Sequence, residues 1–155
     1  MEVDDVDRRV LGALLTDARA DATALAAAAG VGEATATWRR QVLEDAGVIR
    51  SYDPEVDYDA LGYDVTVLFR VETRPQDRSE AAASLADVAG VESVYEVAGT
   101  HDVLAFGRFS AESAVDRVRE RLAGTGGVRT VQADRTRVVA AYRPLPVAPD
   151  TDEGE

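Results

Sequence analysis

The chain contains no cysteine, so disulfides, thiolate nucleophiles and thiolate metal sites are excluded outright. It contains no lysine either, and all 17 of its basic residues are arginine. Its one histidine, His101, excludes a multi-histidine metal cluster and leaves a single residue for any Ser-His-Asp arrangement. No phosphate-binding glycine loop is present. With no catalytic constellation and no cofactor or metal motif, the chain is expected not to be an enzyme. No apolar run approaches the roughly 20 residues that span a bilayer. The opening M-E-V-D-D is acidic where a signal peptide is basic, so a cytoplasmic protein without a membrane partner is expected.

What is present is 155 residues, 46% of them hydrophobic, enough core for one compact domain or two small ones. Acids outnumber bases 29 to 17, for a formal net charge of −12. Abundant Ala, surplus carboxylate and absent Lys resemble the proteome of salt-in halophilic archaea; an acidic protein from a GC-rich genome is the other reading. The choice bears on partners, because an acidic surface ordinarily repels nucleic acid.

The strongest strand signal runs from Gly90 to Phe109. Two β-branched and aromatic runs, Val91 to Ala98 and Val103 to Phe109, flank the turn-forming Gly99, Thr100, His101 and Asp102, which predicts a hairpin of two central strands. The G-V-x-x-V that opens it at Gly90 returns at Gly127, each time after a helical stretch. Both glycines read as helix C-terminal residues in the left-handed region, followed at once by a strand.

Upstream, Val6, Val10, Leu11, Leu14 and Leu15 recur at helical spacing between Asp4 and Ala18, with Asp4, Asp5 and Asp7 where carboxylates favour the helix dipole. Asp21 or Thr23 caps a second, Ala-rich helix ending at Gly30, and a third runs from Glu33 to Ala46 before Gly47. Helix, short glycine turn, helix is the sequence form of a helix-turn-helix, although any small three-helix subdomain has the same periodicity. Residues 1–50 are assigned to this winged-helix-like domain. Residues 51–64, with Pro, Gly and four Asp, are assigned to a linker in which Tyr52, Val56 and Tyr58 could form a short strand.

Residues 65–143 then read as strand (Val65, Val67, Phe69 and Val71 alternating), helix (Ala82, Leu85, Ala86, Val88), the hairpin, a helix capped by Ser110 (Val115, Val118, Leu122), and a last strand from Val128 to about Val139. This βαββαβ order predicts a ferredoxin-like α+β domain, two helices on one face of an antiparallel sheet. Leu68, Leu104 and Phe106 then point to the other face. Burying each is worth roughly 1.5 to 3 kcal/mol, so a homodimer packed sheet against sheet is expected. The tail, residues 144–155, has three Pro, four acids and no periodicity, and no fixed structure is expected past Val147.

The order of these parts resembles the leucine-responsive/AsnC, or feast/famine, family of prokaryotic transcription regulators, from about Val3 to Tyr142. The pieces that carry the resemblance are Asp4-x-x-Asp7-Arg8-x-Val10-Leu11, then Leu43-Glu44-x-x-Gly47-Val48-Ile49, then Val97-Ala98-Gly99-Thr100-His101-Asp102-Val103-Leu104. The resemblance implies dimers, often octamers, and an amino acid or related metabolite bound near the hairpin turn. Carried onto this chain, the effector residues are Gly99, Thr100, His101 and Asp102. Asp102 either accepts from a ligand ammonium or only braces its own turn.

The resemblance also implies double-stranded DNA as partner and residues 33–46 as the reading helix, with Thr35, Thr37, Trp38, Arg39 and Arg40 able to reach phosphates or base edges. For Trp38, packing on a neighbouring helix is the other reading. Departures concentrate here. Gly32 and Glu33 stand where the family usually has Ser followed by Pro or Thr, Arg40 is at a usually apolar position, and Val42 is at a usually basic one. The first fifty residues carry six Arg against nine acids, which weakens phosphate neutralisation. At about 1 M salt, however, the Debye length is only about 3 Å, and short contacts decide. The function expected is a sequence-specific transcription regulator tuned by a small metabolite. A sensing oligomer whose helical domain no longer reads DNA is the alternative.

Overall fold

A computed structural model describes residues 2–99, 101–139 and 145–147 of the chain. The chain divides into a helical unit that extends to Glu55 and a sheet unit that begins at Val56.

In the helical unit, α1 (Asp5–Thr16) starts where Asp4 and Asp7 cap each other: the Asp4 carboxylate accepts from Asp7 N–H, and the Asp7 carboxylate from Asp4 N–H. Helix α2 (Ala22–Ala29) starts at Asp21, whose side chain accepts from Ala24 N–H, and stops at Gly30 with φ of 70°. Helix α3 (Glu33–Asp45) follows Gly32, which offers no side-chain cap. Val10, Leu14, Leu25, Ala26, Ala29, Ala36 and Leu43 form the core. The small alanines of α2 and α3 let three short helices approach closely around Leu25 and Leu43. No strand follows α3 before Val65 among the described residues, so neither a wing nor the strand at Tyr52, Val56 and Tyr58 is seen. Pro54 cannot donate to a ladder. Asp57 instead accepts from Ala60 N–H, and the chain turns from Tyr58 to Gly62.

The sheet unit runs β1 (Val65–Thr73), a 3-10 turn (Pro75–Asp77), α4 (Arg78–Ala86), β2 (Val91–Glu96), β3 (Val103–Phe109), α5 (Glu112–Ala123) and β4 (Val128–Arg135). The sheet is antiparallel in the order β2-β3-β1-β4. The βαββαβ expectation is met, but β2 is an edge strand and the central pair is β3 with β1. On the helix side, Val67, Phe69 and Val71 of β1 and Val103, Ala105 and Phe109 of β3 pack against Ala81 and Leu85 of α4 and Val115, Val118 and Leu122 of α5. The Phe69 and Phe109 rings meet edge to face with centroids 6.0 Å apart.

Several boundaries differ from the sequence reading. Ser110 does not cap α5; Ala111 is extended and occupies that position without a side-chain bond. On α4 it is Ala81, with Leu85, that is fully buried, while Ala82 and Val88 pack at the margin of the core. Strand β4 ends at Arg135, and the tail past Val147 lies outside the described residues. Gly90 and Gly127 do take positive φ, 96° and 84°, but three residues beyond the helix caps Asp87 and Gly124, at the point where each strand begins.

The other sheet face carries Leu68, Leu104, Phe106 and Tyr95, the last two exposed. Its apolar band is interrupted by ion pairs. Arg70 Nε lies 2.8 Å from Asp134, and Arg108 Nε lies 2.9 Å from Glu92 with its guanidinium over the Tyr58 ring.

A Cβ added at Gly90 would lie 2.5 Å from the Arg108 carbonyl oxygen, on a backbone already in the left-handed region. Gly12, inside α1, has nothing within 4 Å of the corresponding point. Chemical denaturation should therefore show Gly90→Ala losing about 2 kcal/mol or more. Gly12→Ala should gain about 0.5–1 kcal/mol.

Candidate nucleic-acid interface and effector turn

Helix α3 buries Ala36 and Leu43 and turns Glu33, Ala34, Thr35, Thr37, Trp38, Gln41 and Asp45 outward. Trp38 is 58% exposed, so it does not pack into the helical core. Thr35 and Thr37 share its exposure. Arg39 does not: its Nη1 lies 2.8 Å from Asp4 and 3.2 Å from Asp7, whose side chain is completely buried. Its guanidinium carbon also sits 5.2 Å from the Trp38 ring centre. Arg39 thus fastens α3 to the start of α1. Arg40 is half-buried, with Nε 3.7 Å from Glu44. Glu33, one of the departures from the family pattern, accepts a 2.8 Å hydrogen bond from the Thr23 hydroxyl. Gln41 is an outward-facing residue absent from the sequence reading. It falls three and four residues beyond Trp38 and Thr37, so helical periodicity alone could have found it.

At the hairpin turn, both Asp102 carboxylate oxygens are engaged: one accepts from Thr73 N–H at 2.8 Å and the other from Arg78 Nη2 at 2.9 Å. Its backbone N–H donates to the Val71 carbonyl, and its own carbonyl accepts from Val97 N–H. The Thr73 N–H first, and then Arg78, hold the carboxyl below the ordinary carboxylate value against partial desolvation. Bracing, the second of the two readings, describes this geometry, and the brace ties the turn to β1 and α4. His101 Nδ1 lies 3.4 Å from Glu72. Gly99 is exposed, and Thr100 lies outside the described residues. Glu72, Thr73 and Arg78, all missed in the sequence, border the turn because antiparallel pairing sets Val71 opposite Val103. Arg78 Nε and His101 Nδ1 are buried without a hydrogen-bond partner among the described residues. Two nitrogens left this way at one turn suit a bound acceptor.

Residues 3–50 match the family described as winged helix-turn-helix DNA-binding, and residues 66–136 match the Lrp/AsnC ligand binding domain. The HTH-type transcriptional regulator LrpA of Mycobacterium tuberculosis is 30% identical over 129 residues, 83% of this chain and 86% of its own length. The chain belongs to the Lrp/AsnC family. An uncharacterised HTH-type transcriptional regulator of Pyrococcus furiosus is 29% identical over 128 residues, covering 83% and 86% of the two chains. Among solved Lrp/AsnC structures, a feast or famine regulatory protein of M. tuberculosis complexed with L-methionine superposes with a TM-score of 0.82 at 26% identity, over 93% of this chain and 99% of that one.

Within this Lrp/AsnC chain the two acid-cation contacts have separable signatures. Asp7→Ala leaves Arg39 facing only Asp4 and removes half of the capping box. It should destabilise the helical unit by about 2–4 kcal/mol, read by denaturation followed through Trp38 fluorescence. Because the Asp102 carboxyl is held below its unfolded value of 3.8, its contribution is fully present above that pH and is lost as pH falls through the folded value. In acid titration, Asp102→Asn should therefore be less stable than the parent at neutral pH, with the gap closing below about pH 4.

Proposed function

We propose that the chain is a sequence-specific DNA-binding transcription regulator whose operator occupancy or assembly is tuned by an amino acid or related small metabolite. The observation that carries this reading is the outward strip of Thr35, Thr37 and Trp38 on the second helix of the helix-turn-helix. Such a helix enters the major groove, where hydroxyls and an apolar ring can meet phosphates, base edges and thymine methyls. Arg40 supplies the nearest cation, and Arg39 supports the helix from behind. The L-methionine complex of a family relative supports an amino acid as the effector class. On this reading the effector lies against Gly99, Thr100 and His101, with Arg78 facing its carboxylate and Asp102 keeping the turn in shape.

The exposed Phe106 and Tyr95, with the half-buried Leu68 and Leu104 on the same face, support a homodimer through the open sheet face, which would present two reading helices to a near-palindromic site and could assemble further, to octamers. The all-Arg, acid-rich composition supports work in a salt-rich cytoplasm, where screening removes the long-range penalty of a net charge of −12. One observation favours the sensing-only alternative: of the two arginines on α3, Arg39 is tied to Asp4 and Asp7.

Fluorescence anisotropy with the protein's own promoter duplex and an unrelated duplex, in multimolar KCl, decides between them. The regulator should prefer its promoter, shift its affinity when pooled amino acids are added, and lose about tenfold in promoter affinity on Trp38→Ala. A folded protein with no preference at any salt concentration would leave only the sensing reading.

A further inference from the structure

Tyr52 belongs to neither the outward strip of α3 nor the effector turn, yet it touches the reading helix. Its hydroxyl donates a 2.7 Å hydrogen bond to Glu44 Oε1 in the last turn of α3. The same oxygen is 3.7 Å from Arg40 Nε, beyond hydrogen-bonding reach, and that Nε has no partner among the described residues. Arg40 and Glu44 are four residues apart, a spacing at which a guanidinium and a carboxylate can close on each other. One carboxylate oxygen therefore has two competing donors, and the tyrosine holds it. Burial first, and then Glu44, push the Tyr52 hydroxyl up to about 12, so it remains a donor throughout the physiological range.

We propose that Tyr52 is a positioning residue for DNA binding: by occupying the Glu44 oxygen it holds the Arg40–Glu44 ion pair at 3.7 Å, short of a hydrogen bond, and leaves the outer nitrogens of the Arg40 guanidinium available to a phosphate. The inference rests on the reading of α3 as the DNA-contacting helix. Arg40 is 37% exposed and lies one turn from the outward Thr37, a position from which a long side chain can reach the groove edge. If the hydroxyl is lost, Glu44 closes to hydrogen-bonding distance of Arg40 and competes with phosphate for its guanidinium, so binding loses a phosphate contact although no cation has been deleted.

The test measures affinity of the full chain for its promoter duplex across a KCl series, for the parent, Tyr52→Phe, Glu44→Gln, Arg40→Ala and the Tyr52→Phe/Glu44→Gln pair. Tyr52→Phe should weaken binding about three- to tenfold and reduce the slope of log K against log salt by about one, as Arg40→Ala does. In the Glu44→Gln background, Tyr52→Phe should change nothing. A second readout needs no DNA: by 15N NMR, exchange of the Arg40 Nε–H with water should slow in Tyr52→Phe as Glu44 closes. Parent-like affinity and exchange in Tyr52→Phe would overturn the proposal, as would a loss that persists without the Glu44 charge. A parent that ignores its promoter would instead overturn the DNA reading, while the exchange measurement still decides whether Tyr52 restrains Glu44.

Discussion

Every side-chain cation outside the single histidine is a guanidinium, and carboxylates outnumber guanidiniums 29 to 17. That scarcity shapes both units, because an arginine used to hold the fold has fewer donors left for anything else. Arg39 joins α3 to the start of α1, Arg70 pairs with Asp134 across β1 and β4, and Arg78 joins α4 to the hairpin turn. Arg108 gathers Asp59 and Glu92 around β3. Exposed pairs of this kind are worth about 0–1 kcal/mol each. The Arg39 contact differs, since Asp7 is wholly buried and would be left uncompensated without it. Arginine suits such a role better than lysine because its planar, preorganised fork donates in several directions at once.

Most of the fold was legible from local pattern. The alternation of Val65, Val67, Phe69 and Val71, the aspartates ahead of α1 and α2, and the repeated G-V-x-x-V each encode their element within a few residues. One error originates in non-local geometry and two in local competition. Nothing near Val91 reveals that β2 lies at an edge, because strand order depends on β1 pairing with both β3 and β4. Ser110 is a good cap by residue type, but Ala111 is extended and the helix begins one residue later. The strand allowed at Tyr52 gave way to a turn closed by Asp57, whose partner is three residues away.

The sites were legible to different degrees. Outward positions on α3 follow from helical period, and Thr35, Thr37 and Trp38 are exposed. The loyalties of charged residues do not follow from period. Arg39 meets Asp7 across 32 residues, and Asp102 meets Thr73 and Arg78 across 29 and 24. A carboxylate in a turn looks the same in sequence whether it awaits a ligand or braces two elements. The Asp102 carboxylate is spent on Thr73 and Arg78, and among the described residues Arg78 Nε, His101 Nδ1 and Thr73 Oγ1 are left without hydrogen-bond partners. Helix α3 shows a related economy: Glu33 and Glu44, two of its three acids, each accept from a hydroxyl, Thr23 or Tyr52.

The place of β1 also has a consequence for how the protein is made. Lying between β3 and β4, it is the first strand to be synthesised and the last to be enclosed, since Val128–Arg135 must leave the ribosome before its second edge is covered. The helical unit has all of its buried core partners in hand once Leu43 has emerged. A growing chain can therefore settle its helical unit early, while an apolar strand waits unpaired on one side through the synthesis of two helices and two further strands. Truncation by even the last strand would leave that edge open, so nascent chains that stall before Val128 are those most exposed to chaperones and to aggregation.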